Sequence, residues 1–308
     1  MTMLRKWTAL ALPLLFSALA CSAASIFSLT PTPTAYVYPT PETPSVPALT
    51  VDALKNAAYV LPDFSGAIRS YPLVDGEYSL GDPAVVGYAS VALLDTFAFG
   101  DLNNDGVNDA AVLLAENYGG TGVFVSVNAV VNEGGSPLHA ASYMIDDRPQ
   151  VETLEIRGDE IYLEAVVHGP NDPGCCPSQS VTRSFELNDA LLTLVRAATR
   201  LPDGRERAIQ IESPLDGAEV GGELVITGSV TISPFENTLA CRVYNEKGNE
   251  LFIGAINVRA SEMGGPGVFT VTLDASAFPP GRLRVVVADL SAADGSILAL
   301  DSVEVETR

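Results

Sequence analysis

Basic residues are scarce in this sequence of 308 residues. It has 17 Lys and Arg against 38 Asp and Glu, which gives a net charge of −21. Nucleic acids and anionic lipid headgroups also carry negative charge, so a surface of this sign repels both. The composition therefore excludes nucleic acid as a partner, and any contact with a membrane is expected to come from an attached lipid.

Long apolar runs are missing too, with one short exception at the start of the chain. The stretch from Trp7 to Ala20 follows a basic head and is too short to cross a bilayer comfortably, which is typical of an export signal. No later run is long enough for a transmembrane helix. Loss of Arg5 and Lys6 with the signal lowers the 17 basic residues to 15 and takes the net charge from −21 to −23.

The end of this apolar stretch, Ala18-Leu19-Ala20-Cys21, resembles a bacterial lipobox, although Ala18 and Leu19 stand in the reverse of the usual order. The resemblance implies that residues 1–20 are a lipoprotein signal peptide and that Cys21 carries the lipid. The protein would then be extracytoplasmic and anchored to a bacterial membrane. The alternative is an ordinary signal peptide followed by an incidental cysteine.

Residues 21–50 lack the apolar pattern of a core and are rich in Pro and Thr. Proline favours extended backbone and removes hydrogen-bond donors, so this segment is predicted to be a semi-rigid linker. A tethered domain needs such a spacer, which favours the lipoprotein interpretation.

Cysteine and histidine are few, with four Cys and two His in the whole sequence. Cys241 alternates in phase with the apolar residues of its predicted strand, so we expect it in a core as a small hydrophobic residue. With Cys21 modified, Cys175 and Cys176 are left to pair with each other in an oxidising compartment. Adjacent cysteines are rarely linked, because their α-carbons lie closer than in most disulfides.

Two other interpretations of this segment stay open. His168 could act as the base for a thiol nucleophile at Cys175 or Cys176, although no third group is identifiable. The same three residues and Asp172 could bind a metal ion, although their spacing is not the usual one.

The most distinctive stretch is the acidic loop of residues 99–109, which lies between two apolar runs. Asp101, Asn103, Asp105 and Asp109 stand at odd offsets, and Gly106 stands where a sharp bend needs a positive φ. Oxygens at this spacing can converge on one hard cation, most plausibly calcium, and carboxylates packed this closely repel each other without one. The alternative is a plain turn held by side-chain to backbone hydrogen bonds.

Residues 99–112 resemble the calcium hairpin of FG-GAP and VCBS-type repeats, which read Asp-x-Asp/Asn-x-Asp-Gly-x-x-Asp. The resemblance implies one structural calcium ion, bound by the side chains of Asp101, Asn103, Asp105 and Asp109 and by the carbonyl oxygen of Val107. The sequence has a single copy, so a propeller built from such repeats is not predicted.

Residues 51–201 read as short strands separated by tight turns, after one short helix predicted over residues 51–59. Asp75-Gly76 separates the segments 68–73 and 77–80, and an Arg-Gly-Asp turn separates 151–156 from 161–167, which predicts a hairpin at each place. The pattern predicts an all-β fold that begins with an antiparallel meander domain carrying the calcium-type loop.

Residues 208–308 hold seven short strand candidates, the number expected of an immunoglobulin-like β-sandwich. Ile211-Glu-Ser-Pro-x-x-Gly217, Val225-Ile-Thr-Gly228, Gly267-Val-Phe269 and Asp294-Gly-Ser296 resemble the bacterial spore germination immunoglobulin-like domain. The resemblance implies an extracytoplasmic sandwich attached to other envelope modules, with no known catalysis.

These features predict a lipid-anchored, non-enzymatic binding or scaffolding protein of the bacterial cell envelope. Its expected partners are the membrane, through the lipid on Cys21, and an envelope protein or glycan. One alternative is a calcium-dependent carbohydrate- or peptidoglycan-binding protein, which aromatic side chains exposed near the acidic loop would favour. The other is a thiol enzyme using His168 with Cys175 or Cys176, which a pocket joining these residues would favour.

Overall fold

The computed structural model describes residues 46–63 and 65–308. The predicted signal peptide, Cys21 and most of the predicted linker lie outside the described residues. Within the described part the predicted all-β fold is confirmed, and no helix there is long and apolar enough to cross a membrane. The elements are α1 (Val51–Lys55), β1 (Ala58–Pro62), β2 (Ile68–Pro72), β3 (Glu77–Leu80), β4 (Ala89–Gly100), β5 (Asp109–Asn117), β6 (Phe124–Glu133), β7 (Ser136–Asp147), β8 (Gln150–Arg157), β9 (Glu160–Val167), β10 (Gln179–Asn188), β11 (Leu191–Arg200), β12 (Glu206–Arg207), β13 (Ile209–Ser213), β14 (Ala218–Val220), β15 (Glu223–Val230), β16 (Thr238–Asn245), β17 (Glu250–Ala260), β18 (Gly267–Asp274), β19 (Gly281–Leu290), β20 (Ile297–Thr307) and the short 3-10 helices Phe235–Asn237 and Ala275–Ala277.

Residues 46–201, which we call the N-terminal lobe, form the predicted antiparallel meander. Strands β3 to β7 are neighbours in chain order in one sheet, and β8 to β11 are neighbours in chain order in a second. The two sheets share an apolar core, in which Leu113, Ile161, Leu163 and Phe185 are fully enclosed. The alternation of buried and partly buried residues along β9 is what a strand with one face on a core requires.

The helix predicted over residues 51–59 is shorter than expected. It ends at Lys55, and Tyr59 lies in β1, where it is buried together with Leu61. Strand β1 pairs with β2, and this hairpin and α1 cover the outer face of the five-stranded sheet. Alternate residues of β1 are buried, and this period of two requires an extended strand. The segment therefore does not continue the helix.

The hairpin predicted at Asp75-Gly76 is wrong. The chain turns there, and both residues have positive φ, but only Val74 and Glu77 bridge across the turn. Strand β2 pairs with β1, while β3 pairs with β4. The turn therefore passes the chain from one sheet to another. The hairpin predicted at the Arg-Gly-Asp turn is confirmed by the pairing of β8 with β9.

Residues 208–308, which we call the C-terminal lobe, form the predicted immunoglobulin-like sandwich. Its core is mainly aliphatic and includes Cys241, whose predicted burial is confirmed. Phe269 is the largest enclosed side chain of this core. Gly228 on β15 lies so close to β13 that a Cβ there would clash with the carbonyl oxygen of Gln210 and with the ring of Phe269.

The two lobes meet through a continuous run of strands. Strands β11 and β20 pair at Arg196↔Asp301 and at Ala197↔Leu300, and a small apolar cluster surrounds this contact. The segment between the lobes takes part, because β12 pairs with β11 and Arg207 lies 2.5 Å from Asp289. These contacts hold the two lobes in a fixed position relative to each other.

A chain of polar groups lies under the β1–β2 hairpin. The backbone N–H of Val60 donates to Nδ1 of His139 (3.3 Å), and Nε2 of His139 lies 3.0 Å from Oδ1 of Asn128. Burial lowers the pKa of His139 to about 4. Because Nδ1 accepts a hydrogen bond, the folded protein holds this imidazole in its neutral form.

The His139→Gln variant is expected to lose less stability in acid than wild type. The folded-state pKa lies below the ordinary value of 6.5, so the contribution of His139 is present above about pH 6.5 and is lost as the pH falls toward 4. One pKa unit corresponds to about 1.4 kcal/mol, so the difference between the two proteins should shift by about 3 kcal/mol between pH 7 and pH 4. Urea unfolding at both pH values measures it. A difference that stays constant with pH would contradict the prediction.

Candidate functional site

The acidic loop joins β4 to β5, and its side chains fold back onto its own backbone. The carboxylate of Asp101 accepts the N–H groups of Asp105 (3.1 Å) and Gly106 (2.8 Å). Oδ1 of Asn103 accepts the same Asp105 N–H (3.0 Å), and Oδ1 of Asp105 accepts the N–H of Val107 (2.8 Å). The side chains of Asp101, Asn103 and Asp105 are therefore brought together at the tip of the hairpin.

Asp109 differs from this group in being buried, at the base of the loop. Its side chain is fully enclosed, with Oδ2 accepting the N–H of Leu102 and Oδ1 accepting the N–H of Asn132, both at 2.9 Å. Burial raises the pKa of Asp109, although these two hydrogen bonds work in the opposite direction. The carboxylate thus ties the loop to the end of β6.

The five predicted calcium ligands therefore split into two sets. Asp101, Asn103, Asp105 and the carbonyl oxygen of Val107 belong to the exposed tip and fit a hard cation, because they supply oxygens only. Asp109 also supplies oxygens only, but it is buried, and each of its oxygens accepts a backbone N–H, as each oxygen of Asp101 does. Across residues 46–63 and 65–308, no group of three or more Asp, Glu, His or Cys side chains is arranged to hold a metal ion. Calcium binding stays a prediction.

We expect calcium to raise the melting temperature of the full chain and Asp105→Ala to remove this response. Extracellular calcium modules bind at roughly 10⁻⁴ to 10⁻³ M, and at about ten times the dissociation constant linkage gives about 1.4 kcal/mol of stability. Thermal scans in calcium and in chelator measure the effect. Asn104→Ala is the control, because Asn104 contacts Asp159 and supplies no predicted ligand. Identical wild-type melting in both conditions would mean that the loop is an acidic turn alone.

The cysteines of the second predicted site lie on an exposed loop. Cys175 and Cys176 are joined in a disulfide between adjacent residues, with α-carbons 3.8 Å apart. Cys241 is remote in the core of the other lobe, where burial raises the pKa of its thiol to about 11. The structure thus brings together the two cysteines that the sequence paired.

Asp146 is a potential functional residue that the sequence did not single out. Its Oδ2 lies 2.9 Å from Nδ1 of His168 and also accepts the backbone N–H of His168 (2.5 Å). Asp146 is therefore a candidate for the third group that the thiol-enzyme hypothesis lacked, beside His168 and a cysteine. However, Nε2 of His168 is buried without a hydrogen-bond partner in the described part of the chain, so it contacts neither cysteine sulfur. Asp172 accepts hydrogen bonds from Gly169 and Ser178, which closes the loop.

A cleft of about 1000 Å³ lies between the two lobes. Its walls come from β9, β10 and β11 of the N-terminal lobe and from β13, β15, β17, β18 and β20 of the C-terminal lobe. Its described lining includes no aromatic side chain. The charged residues of the lining are Glu160, Glu186, Arg196, Asp216, Arg259 and Asp301.

Carboxylates outnumber cations in this cleft. Arg196 forms an ion pair with Glu160. Glu186 forms an ion pair with Arg284, which does not line the cleft, and Nη2 of Arg284 lies 2.5 Å from Oε2 of Glu186. Asp301 is nearly enclosed, and burial raises the pKa of its carboxyl group. A ligand that fills this space meets an acidic surface, in keeping with the charge of the whole chain.

The fold defines a two-lobed β protein with an immunoglobulin-like domain. Residues 208–296 match the family described as the immunoglobulin-like domain of bacterial spore germination. This match lies wholly within the C-terminal lobe and supports the resemblance drawn from the sequence there. No curated protein matches the chain.

Proposed function

We propose that this protein is a non-enzymatic binding or scaffolding module of the bacterial cell envelope, tethered through a lipid on Cys21 and spaced from the membrane by residues 21–45. The spacer ends there because residues 46–50 of the predicted linker belong to the N-terminal lobe, where Leu49 is buried. The observation that carries the proposal is the cleft between the lobes. Binding sites commonly lie where two domains meet, because both contribute surface to an enclosed space. The family match supports a bacterial setting for the C-terminal lobe.

An envelope protein is a better partner for this cleft than a glycan. Aromatic rings supply large apolar faces at binding sites, and the described lining of the cleft offers none. Near the acidic loop, Phe99 is 42% exposed, but Tyr162 lies under the guanidinium of Arg157. The side chains of the cleft therefore favour a partner that is bound by ion pairs and backbone hydrogen bonds over a sugar that would stack on aromatic rings.

Site-specific photo-crosslinking tests the proposed function. The full chain carries a photoreactive amino acid at Val268, which lines the cleft, or at Val225, which is exposed on the same sheet outside it. After mixing with a cell-envelope fraction, with and without calcium, we expect a discrete adduct from position 268 and none from position 225. Equal labelling from both positions, or none from position 268, would contradict a binding role for the cleft.

The Cys21→Ser variant is expected to lose its membrane anchor. The acidic domains have no affinity of their own for anionic lipid, so the lipid on Cys21 has to supply the attachment. Cell fractionation and mass spectrometry of the mature amino terminus measure the effect, and Ser22→Ala is the control. A Cys21→Ser protein that matures and fractionates with membranes like wild type would show that the lipoprotein interpretation is wrong.

A further inference from the structure

Strand β13 leaves one backbone edge open beside the cleft. It is the last strand of its sheet, and β15 is its only strand partner among the described residues. The carbonyl of Gln210 faces β15, as its close approach to Gly228 shows. Backbone groups of successive residues point to opposite sides of an antiparallel strand. The N–H and C=O groups of Ile209 and Ile211 therefore point away from β15.

One of these backbone groups, the N–H of Ile211, is bonded to a carboxylate and not to a neighbouring strand. The N–H of Ile211 donates to Oδ2 of Asp301 at 2.7 Å, and Asp301 lies opposite Arg196 where β20 meets β11. Exposed edge strands are templates on which another chain can pair. This edge is held in position by the interface between the lobes, so a chain that pairs with it would contact both lobes.

The cleft extends from this edge across the outer face of the sheet. Gln210, Ser229, Val268 and Arg259 lie side by side on successive strands, and all four line the cleft. The opposite wall comes from the ends of β9 and β10, with their carboxylates. The space is thus bounded by a free strand edge, a flat polar floor and an acidic wall.

We propose that the cleft binds an extended, basic peptide segment of a partner protein, which adds as a strand to the free edge of β13. This inference rests on the proposed binding function and names its ligand class. Backbone hydrogen bonds to the N–H and C=O of Ile209 and to the C=O of Ile211 hold the segment, as in other strand-addition complexes, while Asp301 keeps the N–H of Ile211. A Lys or Arg side chain of the segment is favoured because the lining has more carboxylates than cations, and Asp216 and Asp301 form no ion pair within the described residues.

Three synthetic peptides test the chemistry. The reference is the blocked hexapeptide Thr-Val-Lys-Val-Thr-Val, the second has Glu in place of Lys, and the third has N-methyl groups on alternate backbone nitrogens. Binding to the full chain in detergent is followed by fluorescence anisotropy. We expect the Glu peptide to bind at least about tenfold more weakly than the Lys peptide, because like charges meet in the cleft. The methylated peptide should lose binding, since it cannot donate to the strand edge.

Two matched variants test the location. Val268 and Val225 are exposed by 49% and 41% on the same sheet, and only Val268 lines the cleft. Val268→Lys should weaken binding of the Lys peptide at least about tenfold through repulsion and loss of space, whereas Val225→Lys should change it less than about twofold. Amide exchange at Ile209 should slow when the peptide is bound.

Equal binding of the Lys and Glu peptides, or equal effects of the two lysine variants, overturns the proposal. So does failure of the Lys peptide to bind. If that peptide fails while the photoreactive group at position 268 still captures an envelope component, the peptide chemistry is wrong and the binding function stands. If both experiments fail, the binding function is wrong as well.

Discussion

Replacing Arg284 with Met is expected to lower the free energy of unfolding of the full chain by about 3 kcal/mol. The Arg284 side chain is 9% exposed, and its Nη2 lies 2.5 Å from Glu186 of the N-terminal lobe and 2.7 Å from Glu304 of the C-terminal lobe. Met fills a similar volume, but it leaves Glu186 without this cation and leaves Glu304 with only the longer contact to Nη1 of Arg282 (3.5 Å). Breaking a buried pair in this way costs about 3–5 kcal/mol, and partial exposure of both carboxylates places this case at the lower end.

Urea unfolding of matched variants separates charge from packing. The triple variant Arg284→Met, Glu186→Gln, Glu304→Gln should recover most of the lost stability, because no buried charge is then unpaired. Arg308→Met breaks the exposed pair with Glu219 and should unfold like wild type. If Arg284→Met also unfolds like wild type, the charge network does not stabilise the contact between the lobes.

The strands of the C-terminal lobe were predictable because their determinants are local. Alternating apolar residues and flanking turn residues predicted seven strands in residues 208–308, and the structure has these and one further strand of three residues, β14. The contact between the lobes has no such local pattern. Arg284 and Glu186 are 98 residues apart in sequence, and each reads alone as a surface charge.

The residue types at a turn indicate where the chain reverses direction. They do not indicate which strands pair with each other. Asp75 and Gly76 adopt the positive φ that their residue types favour, yet β2 and β3 pair with different strands. Likewise, nothing local indicates that Asp146 meets His168, because the two lie 22 residues apart at the ends of different strands. Such contacts depend on sheet order, which residue patterns constrain weakly.

The acidic loop contains one feature that local sequence predicts and one that it does not. Its spacing predicted the hairpin and the grouping of three side chains at the tip, which depend on short-range hydrogen bonds. Asp109 has the residue type and the offset of a ligand, but its role depends on burial beside Leu102 and Asn132. Burial of a carboxylate is a tertiary property, so the sequence did not indicate the hydrogen bonds that Asp109 makes to Leu102 and Asn132, and its assignment as a calcium ligand stays a prediction.

Asp109→Ala is therefore expected to destabilise the protein by about 3 kcal/mol or more in calcium and in chelator alike. The change leaves two buried backbone N–H groups, those of Leu102 and Asn132, without an acceptor, and each such group costs about 1–3 kcal/mol. Asp109→Asn keeps one acceptor oxygen and should lose roughly half as much. Urea unfolding of the three proteins under both conditions measures the loss.

The Asp105→Ala variant provides the contrast that separates a structural carboxylate from a calcium ligand. Asp105 is exposed and bonds only within the loop, so its loss should matter in calcium and change little in chelator. If Asp109→Ala instead matches wild type in chelator and is destabilised only in calcium, Asp109 is a ligand. The buried hydrogen bonds at the base of the hairpin would then contribute little to its stability, because an ion would have been the element that joined the loop to β6.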